Sequence, residues 1–386
     1  MRDFDKQILN KSGKELRILM VGNHVCIRVI KRMRALKRLG YKIDGLGNRV
    51  SYGTNDFDMY SVFQNEKQFK NYIKDNMDKY DIIDYSNEPD YPVKWIRDTV
   101  GDKVPIVVDL HDLDNIRKDT IPIDERKMFN SADALIYVSQ PIQKIANELH
   151  SFNKPNIVLY SYCNDGVIDY DPSLIHERKG LVYEGGGNPP NDKMQNQVFP
   201  YRNIHPIIKR LVEMGNETHM YCGNISAYNT YQFSGAVLYP PLVYDELMGK
   251  MIKHKYGVVM FNNKDGKQNQ VNYTLTNKEE EYLQCGIPSL VCWAPETAKH
   301  VEKHGIGFTF NDIEEVGDCS QLESKYMEVM DNIKTKRKEL VMENYIWKLE
   351  NLYAELLGTE KKGIPDNIRK LNDFEYGKED TNKLLI

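Results

Sequence analysis

Residues 277–288 read NKEEEYLQCGIP, with an asparagine that can cap a helix, three consecutive glutamates and a Gly-Ile-Pro stop. Glutamate is favoured in the first helical turn because its charge complements the positive end of the helix dipole. Two pairs also have the spacing of a capping box: Thr276 with Glu279, and Asn277 with Glu280. Glu281 lacks such a role and follows at the edge of the first turn. The segment therefore predicts a short helix with one carboxylate left to point beyond its N-terminus.

This helix belongs to a repeating pattern of short apolar runs and amphipathic stretches. Apolar runs typical of buried strands occur at 16–22 (LRILMVG), 80–86 (YDIIDYS), 104–112 (VPIVVDLHD), 155–161 (PNIVLYS), 180–187 (GLVYEGGG) and 256–261 (YGVVMF). Helical patterns separate the runs, and such alternation is typical of a parallel, doubly wound sheet. Because it occurs in both halves, the sequence predicts an α/β fold with two Rossmann-like domains.

The length of the chain also favours two domains. At 386 residues it exceeds one ordinary core, and a polar, turn-rich stretch at 164–180 places the boundary near residue 170. We expect domains at 1–170 and 171–345. Residues 346–386 are expected to form a closing helix and, after Leu357, a polar tail.

Composition argues against several classes of function. The net charge of −4 gives no reason to expect nucleic acid, and no apolar run is long enough to span a membrane. The six cysteines are scattered without a C-x-x-C pair, so neither a zinc site nor a disulfide framework is indicated. The polar N-terminal stretch lacks the apolar core of a signal peptide, and we expect a cytoplasmic protein.

The quoted helix follows the strand at 256–261, so its N-terminus lies at the carboxyl edge of the second sheet, where ligands bind in such folds. Backbone amides of Leu275, Thr276 and Asn277 there suit a diphosphate. The Glu281 carboxylate behind them can accept hydrogen bonds from ribose hydroxyls. A solvated, capped surface helix is the alternative.

The segment NKEEEYLQCGIP closely resembles the one written P-N-K-L-F-E-Y-L-A-x-G-x-P in GT-B glycosyltransferases, especially the retaining family 4 type. Further segments agree with that family in order over residues 16–357, among them PIVVDLHDLDN, GLVYEGGG, VLYPPLVYDELM and YIWKLENLYAELL. The resemblance implies a GT-B fold, in which two Rossmann-like domains face each other across a cleft. Residues 1–170 would then bind the acceptor and 171–345 the nucleotide-sugar, and the closing helix would return toward the N-terminal domain.

The same resemblance implies roles for individual residues. Glu281 would bind the ribose, the loop amides before it the diphosphate, and the backbone near Val243 the base. His111, after an N-domain strand, would contact the donor sugar and is the candidate catalytic residue. A lone histidine after a strand is more often a satisfied structural residue, which is the alternative here.

Two N-domain loops supply further candidates. We expect Gly22 and His24, after the first strand, to approach the donor phosphates or the acceptor, and Asn87 and Glu88 to shape the acceptor pocket. Ordinary turn chemistry explains both loops equally well. An inverting mechanism would need a base, for which His24 or Glu88 are the available side chains.

The chain departs from the family at two positions. Tyr273 stands where a glutamate commonly binds the sugar, and Gly186 stands where an arginine usually binds phosphate. The compensating charge must then come from other cations, for which the candidates are Lys193, Arg202 and Lys278. These departures fit either a subfamily with its own donor contacts or a domain that has lost catalysis.

Two D-x-D patterns and one basic helix need separate interpretations. Asp112-Leu113-Asp114 and Asp56-Phe57-Asp58 match the metal motif of GT-A transferases, but that fold leaves the second Rossmann-like half unexplained, so no metal is expected. The basic stretch 26–39 predicts either peripheral contact with a membrane or a packed helix with a solvated charged face.

The resulting functional expectation is a metal-independent glycosyltransferase without a cofactor. It would move a hexose from a UDP- or GDP-sugar to a glycan or lipid-linked acceptor, with retention of the anomeric configuration, in polysaccharide biosynthesis. The alternatives are a nucleotide-sugar 2-epimerase of the same fold and a non-catalytic sugar- or nucleotide-binding module.

Overall fold

The protein forms two compact units in a computed structural model that describes residues 7–86, 88–118, 122–189 and 191–385. The units are Met1–Asn164 with Val341–Ile386, and Asp165–Leu340. The chain therefore passes between them after Asn164 and after Leu340, rather than near residues 170 and 345.

The first part of unit 1 alternates strands and helices. Its strands are β1 (Arg17–Val21), β2 (Lys42–Gly47), β3 (Met59–Val62), β4 (Ile82–Ser86), β5 (Ile106–Leu110), β6 (Ala134–Tyr137) and β7 (Asn156–Val158). Its helices are α1 (Ile27–Arg38), α2 (Glu66–Asn76), α3 (Tyr91–Val100), α4 (Asp114–Lys118), α5 (Ile123–Ser131) and α6 (Gln140–His150). The strands pair in parallel in the order β3-β2-β1-β4-β5-β6-β7. The order reverses beside β1, and ligands bind at such a switch point.

Unit 2 repeats this design. Its strands are β8 (Lys179–Gly185), β9 (Thr218–Cys222), β10 (Val237–Tyr239), β11 (His254–Met260), β12 (Ser289–Cys292) and β13 (Gly307–Phe310). Its helices are α7 (Lys193–Val198), α8 (His205–Glu213), α9 (Ile225–Thr230), α10 (Tyr244–Met251), α11 (Asn269–Tyr273), α12 (Lys278–Gln284), α13 (Pro295–His304) and α14 (Glu323–Glu339). The parallel order is β10-β9-β8-β11-β12-β13, so the switch point lies between β8 and β11.

The C-terminal residues complete unit 1. They form α15 (Met342–Tyr345), α16 (Trp347–Leu357), α17 (Asp366–Tyr376) and α18 (Lys378–Lys383). The segment after Leu357, expected to be a polar tail, instead contains the helices α17 and α18, and α17 buries Ile368 and Tyr376. The Tyr376 hydroxyl lies 3.0 Å from that of Tyr162. A few apolar side chains in a charged stretch are enough to hold these helices against a preformed core.

The cores follow the apolar runs of the sequence. Strands β4, β5 and β6 are buried along their whole length, as expected of central strands covered by helices on both faces. Among the residues that the structure describes, no helix combines the length and the apolarity that crossing a membrane requires.

Candidate functional site

The candidate donor site lies in unit 2, at the carboxyl ends of β8 and β11. The chain leaves β8 through Gly185, whose φ of +109° suits glycine, and continues through Gly186 and Gly187. A Cβ at Gly223 would lie 2.9 Å from the backbone of Gly185 and Gly186. Glycines here therefore allow two loops to pack closely and leave the backbone open to a ligand.

Lys278, the first residue of α12, places its ammonium at this loop. Its Nζ lies 5.4 Å from the ring centre of Tyr183 and 5.7 Å from that of Phe261. A Cβ at Gly185 would come within 3.2 Å of the same Nζ. Burial lowers the pKa of Lys278, but the charges of Tyr183, Glu184, Glu281 and Glu279 outweigh burial, and the pKa is raised. Lys278 is therefore positively charged at neutral pH, beside the exposed backbone of the glycine loop.

Arg202 supplies a second cation to the same region. It ends the short 3-10 helix Pro200–Arg202, rather than starting a helix as the sequence predicted, and α8 begins only at His205. The carbonyl oxygen of Arg202 accepts a hydrogen bond from the backbone amide of Asn188 at 2.8 Å. This bond holds Arg202 beside the end of the glycine loop. The Arg202 charge also acts on the Tyr183 hydroxyl. Lys193, at the start of α7, is exposed.

The glutamates of α12 have three different environments. Burial raises the pKa of Glu279 to about 7, although the Thr276 hydroxyl donates to its carboxylate. Glu280 is fully buried, with its Oε1 3.0 Å from Nε2 of His300. The predicted box of Asn277 with Glu280 is wrong, because the Asn277 side chain makes no capping hydrogen bond. Glu281 is only 4% exposed.

The remaining predicted donor residues lie near this edge or on neighbouring loops. Leu275 is buried, while Thr276 and Asn277 are half-buried before α12. Val243 precedes α10 and is exposed, and the contact of the backbone near it with a nucleobase stays a prediction. Tyr273 ends α11. Since α12 has only seven residues, its dipole is a weak anion site, and the cations are the stronger feature.

The candidate acceptor edge lies in unit 1, at the carboxyl ends of β1 to β4. A cavity of about 250 Å³ opens there, and Gly22 and Pro89 contribute to its wall. Five aromatic side chains line it: Phe63, Phe69, Tyr85, Tyr91 and Trp95. Amides of Asn23, Asn48, Gln64 and Asn65 also line it. The predicted loop at Gly22 thus borders a pocket whose aromatic wall the sequence reasoning missed, because its rings come from a strand end, a strand and two helices that are separated in sequence.

Two other predicted acceptor residues, His24 and Glu88, are chain neighbours of Asn23 and Pro89, which line this cavity. Glu88 forms an ion pair with Arg117. His24 is half-buried, and burial, together with the charges of Arg49 and His111, lowers its pKa. Asn87 lies outside the described residues. Their acceptor roles stay predictions.

His111 follows β5 and has both ring nitrogens near partners of its own unit. Its Nε2 lies 2.8 Å from Oδ2 of Asp109, and its Nδ1 lies 3.6 Å from Sγ of Cys26. Burial lowers the pKa of His111, but the charges of Cys26 and Asp109 raise it to about 9. The imidazole is therefore charged at neutral pH. Its predicted contact with a donor sugar stays a prediction of the resemblance.

Part of the basic face of α1 is internal rather than solvated, whereas Arg34, Lys37 and Arg38 stay partly exposed. Contact of the stretch 26–39 with a membrane stays a prediction. Arg28, Lys31 and Arg32 are each at most 2% exposed. Arg32 donates to Asp84 at 2.9 Å and its Nη2 lies 3.2 Å from Asp109. Aspartates on β4 and β5 therefore neutralise this face inside the unit.

Both D-x-D patterns are occupied by cations of unit 1. Arg117 lies 3.3 Å from Asp112 and 2.5 Å from Asp114. Arg34 lies 2.7 Å from Asp56. Lys37 lies 2.8 Å from Asp58. The carboxylates of both patterns therefore pair with cations of the same unit.

Comparison with known proteins agrees with this architecture. Residues 214–350 match the family model described as glucosyltransferase 3-like, C-terminal domain. A search of curated proteins finds no significant match.

Among solved structures, a glycosyltransferase from Rickettsia africae ESF-5 has a TM-score of 0.63 at 11% identity, over 89% of this chain and 99% of that one. AviGT4, a glycosyltransferase involved in avilamycin A biosynthesis, has a TM-score of 0.58 at 10% identity, over 89% and 98% of the two chains. UGT89C1 of Arabidopsis thaliana has a TM-score of 0.52 at 10% identity, over 89% and 100%. The predicted fold class, α/β of the GT-B glycosyltransferase type, is confirmed.

Proposed function

We propose that the protein is a glycosyltransferase that moves a hexose from a nucleotide-sugar to a glycan or lipid-linked acceptor, without a metal ion and with retention of configuration. One observation carries the donor half of this proposal. The Lys278 ammonium lies between the rings of Tyr183 and Phe261, against the glycine loop at the switch point of unit 2. A positive charge beside open backbone amides suits the diphosphate of a UDP- or GDP-sugar.

The chemistry follows from neutralising the leaving group. As the sugar–phosphate bond breaks, negative charge grows on the diphosphate, and a preorganised ammonium stabilises that charge more in the transition state than in the ground state. Lys278 takes this role, and Arg202 assists from the neighbouring turn. In the retaining mechanism the departing phosphate oxygen accepts the acceptor's hydroxyl proton on the same face, so no protein base is required.

The acceptor half rests on the aromatic cavity of unit 1. The rings of Tyr91 and Trp95 lie 4.5 Å apart between centres, and those of Phe69 and Trp95 6.2 Å apart. Aromatic faces bind the C–H face of a sugar ring, and side-chain amides such as those of Asn23 and Asn48 bind its hydroxyls. These features favour a glycan portion in the acceptor.

The test is a thermal-shift and calorimetry panel with UDP, GDP, ADP, CMP and their common sugars, each with magnesium and with EDTA. We expect one nucleotide to raise the Tm in both conditions. Lys278→Met should weaken that nucleotide about 10- to 100-fold, because a charged contact is lost. Lys209→Met is the matched control, since Lys209 is an exposed lysine on α8 of the same unit.

The product decides between the proposed reaction and its alternatives. NMR of the transferred sugar should show the donor's anomeric configuration. Binding without transfer to any acceptor would identify a non-catalytic module. The tyrosine at position 273, where the family commonly has a sugar-binding glutamate, is the feature that favours this alternative. Formation of the 2-epimer, either free or still bound to the nucleotide, would identify an epimerase, whereas hydrolysis of the donor without an epimer product would argue against one. No shift with any nucleotide would overturn the donor site.

A further inference from the structure

Cys26, His111 and Asp109 form a chain of contacts in unit 1. Cys26 is the N-cap residue of α1. Its Sγ lies 3.6 Å from Nδ1 of His111, whose Nε2 lies 2.8 Å from Oδ2 of Asp109. A thiol, an imidazole and a carboxylate in this order are the arrangement that activates a cysteine as a nucleophile.

The carboxylate end of this chain is rigidly held. Asp109 is fully buried, and Nη2 of Arg28 donates to its Oδ1 at 2.9 Å. Nη2 of Arg32 lies 3.2 Å from its Oδ2. The charges of these arginines hold the pKa of Asp109 well below its usual range, against the effect of burial. A fixed carboxylate orients the His111 ring, so that Nδ1–H is directed at the sulfur.

Cys26 is half-buried, whereas the other five cysteines, which also lie in the described part of the chain, are buried. Burial raises the pKa of the Cys26 thiol, but His111 and the Val29 amide lower it by more, with Asp109 opposing them. Burial alone raises the pKa of the Cys222 thiol to about 11. Other charged groups also act on this cluster. Arg28 and Arg32 contact Asp109 from α1, and His24 and His111 influence each other's charge.

We propose that Cys26 is a site of covalent modification, a thiolate paired with the His111 imidazolium that reacts with peroxides and with soft carbon electrophiles. This reactivity is separate from glycosyl transfer.

The reaction with hydrogen peroxide needs no reactant other than the Cys26 thiolate, the His111 imidazolium and the peroxide itself. The Cys26 sulfur attacks one peroxide oxygen, an S–O bond forms and the O–O bond breaks. Sulfur is oxidised by two electrons to a sulfenic acid, and the departing oxygen is reduced. The Nδ1 proton of His111 passes to the departing hydroxide, which leaves as water, and the imidazole becomes neutral.

The first test is alkylation of the intact protein with iodoacetamide, followed by peptide mapping. At about pH 6 we expect Cys26 to react at least about ten-fold faster than free cysteine, because an ordinary thiol is almost fully protonated there. The rate should change little up to about pH 8. His111→Gln should slow the reaction at about pH 6 by about ten-fold or more and move its midpoint into the ordinary cysteine range. Cys222→Ser should change nothing.

A second measurement does not depend on the folding of the His111 variant. The thiolate absorbance of wild-type protein minus that of Cys26→Ser should be present at about pH 6. Dilute peroxide followed by a sulfenic-acid trap should label Cys26 in the wild type, and Cys26→Ser should remain unlabelled. A wild-type alkylation midpoint in the ordinary thiol range, or absence of the difference absorbance, overturns the proposal. Neither readout uses transferase activity, so its outcome is independent of the proposed function.

Discussion

Two helices of this protein bury charge in opposite ways. In unit 1, α1 buries Arg28 and Arg32, and each faces an aspartate on the adjoining sheet. In unit 2, α12 buries three consecutive acidic residues, and burial raises the pKa of one of them, Glu279, to about 7. The first helix balances opposite charges, whereas the second concentrates like charges.

The difference separates a structural cluster from a candidate ligand site. Taking paired charges out of water is costly, but good geometry compensates most of that cost. A buried carboxylate without full compensation instead takes up a proton or keeps a cation nearby. Here the cation is Lys278, whose pKa the α12 glutamates help to raise. The unbalanced charge of α12, near the switch point of its sheet, is therefore a better indicator of a ligand site than the balanced charge of α1.

The largest expected effect is loss of the balanced cluster. Arg32→Met leaves Asp84 and Asp109 short of a cation in the core and should lower the free energy of unfolding by about 3 to 5 kcal/mol. Denaturant unfolding measures this change. An effect below about 1 kcal/mol would show that the cluster is not the compensated network that the distances describe.

The next prediction concerns the effect of pH on the acidic residues buried in α12. The folded-state pKa of Glu279 is raised from 4.5 to about 7, so the folded protein binds more protons than the unfolded chain in that interval, and stability falls as pH rises through it. Glu279→Gln should remove this loss, which amounts to about 3 kcal/mol at pH values above 7. Tm curves from about pH 5 to 8 test it, with Glu213→Gln on exposed α8 surface as the control. Superimposable wild-type and Glu279→Gln curves would contradict the assignment.

Glu281 tests the functional side of the comparison. Glu281→Ala should weaken binding of the cognate nucleotide by about 1.5 to 3 kcal/mol if its carboxylate accepts from the ribose hydroxyls. Calorimetry should also show that the corresponding 2′,3′-dideoxynucleotide binds wild type and variant alike. Equal loss for both ligands would instead indicate a disturbed helix.

The smallest expected effect concerns an exposed cation of α1, for comparison with the buried Arg32. Arg38 is 49% exposed and lies 2.6 Å from Glu343. Because water screens this pair, Arg38→Ala should change the free energy of unfolding by less than about 1 kcal/mol. The same denaturant series used for Arg32→Met provides the measurement, and a loss as large as that of Arg32→Met would contradict the distinction between buried and exposed cations.

Much of the architecture was predictable from local pattern. The apolar runs gave the strands, the alternation gave the parallel sheets, and the position of NKEEEYLQCGIP after a strand placed α12 at a carboxyl edge. Lys278, the cation of the candidate donor site, was also among the candidates. By contrast, the rings of Tyr183 and Phe261 around it come from two strands, β8 and the end of β11, that are distant in sequence, so no spacing rule connects them with Lys278.

The sequence by itself determined most of the strands and helices, because burial on one face imposes a period that can be read locally. The exceptions include α17 and α18, whose few apolar side chains gave no readable period. Only the tertiary structure decided which charges meet. Arg32 reads as a solvated cation until β4 and β5 bring Asp84 and Asp109 to it, and Glu280 reads as a capping residue until α13 brings His300. Cys26 likewise acquires its partner only when β5 delivers His111. Charge pairing acts over a few ångströms, and the fold, rather than the local pattern, sets those distances.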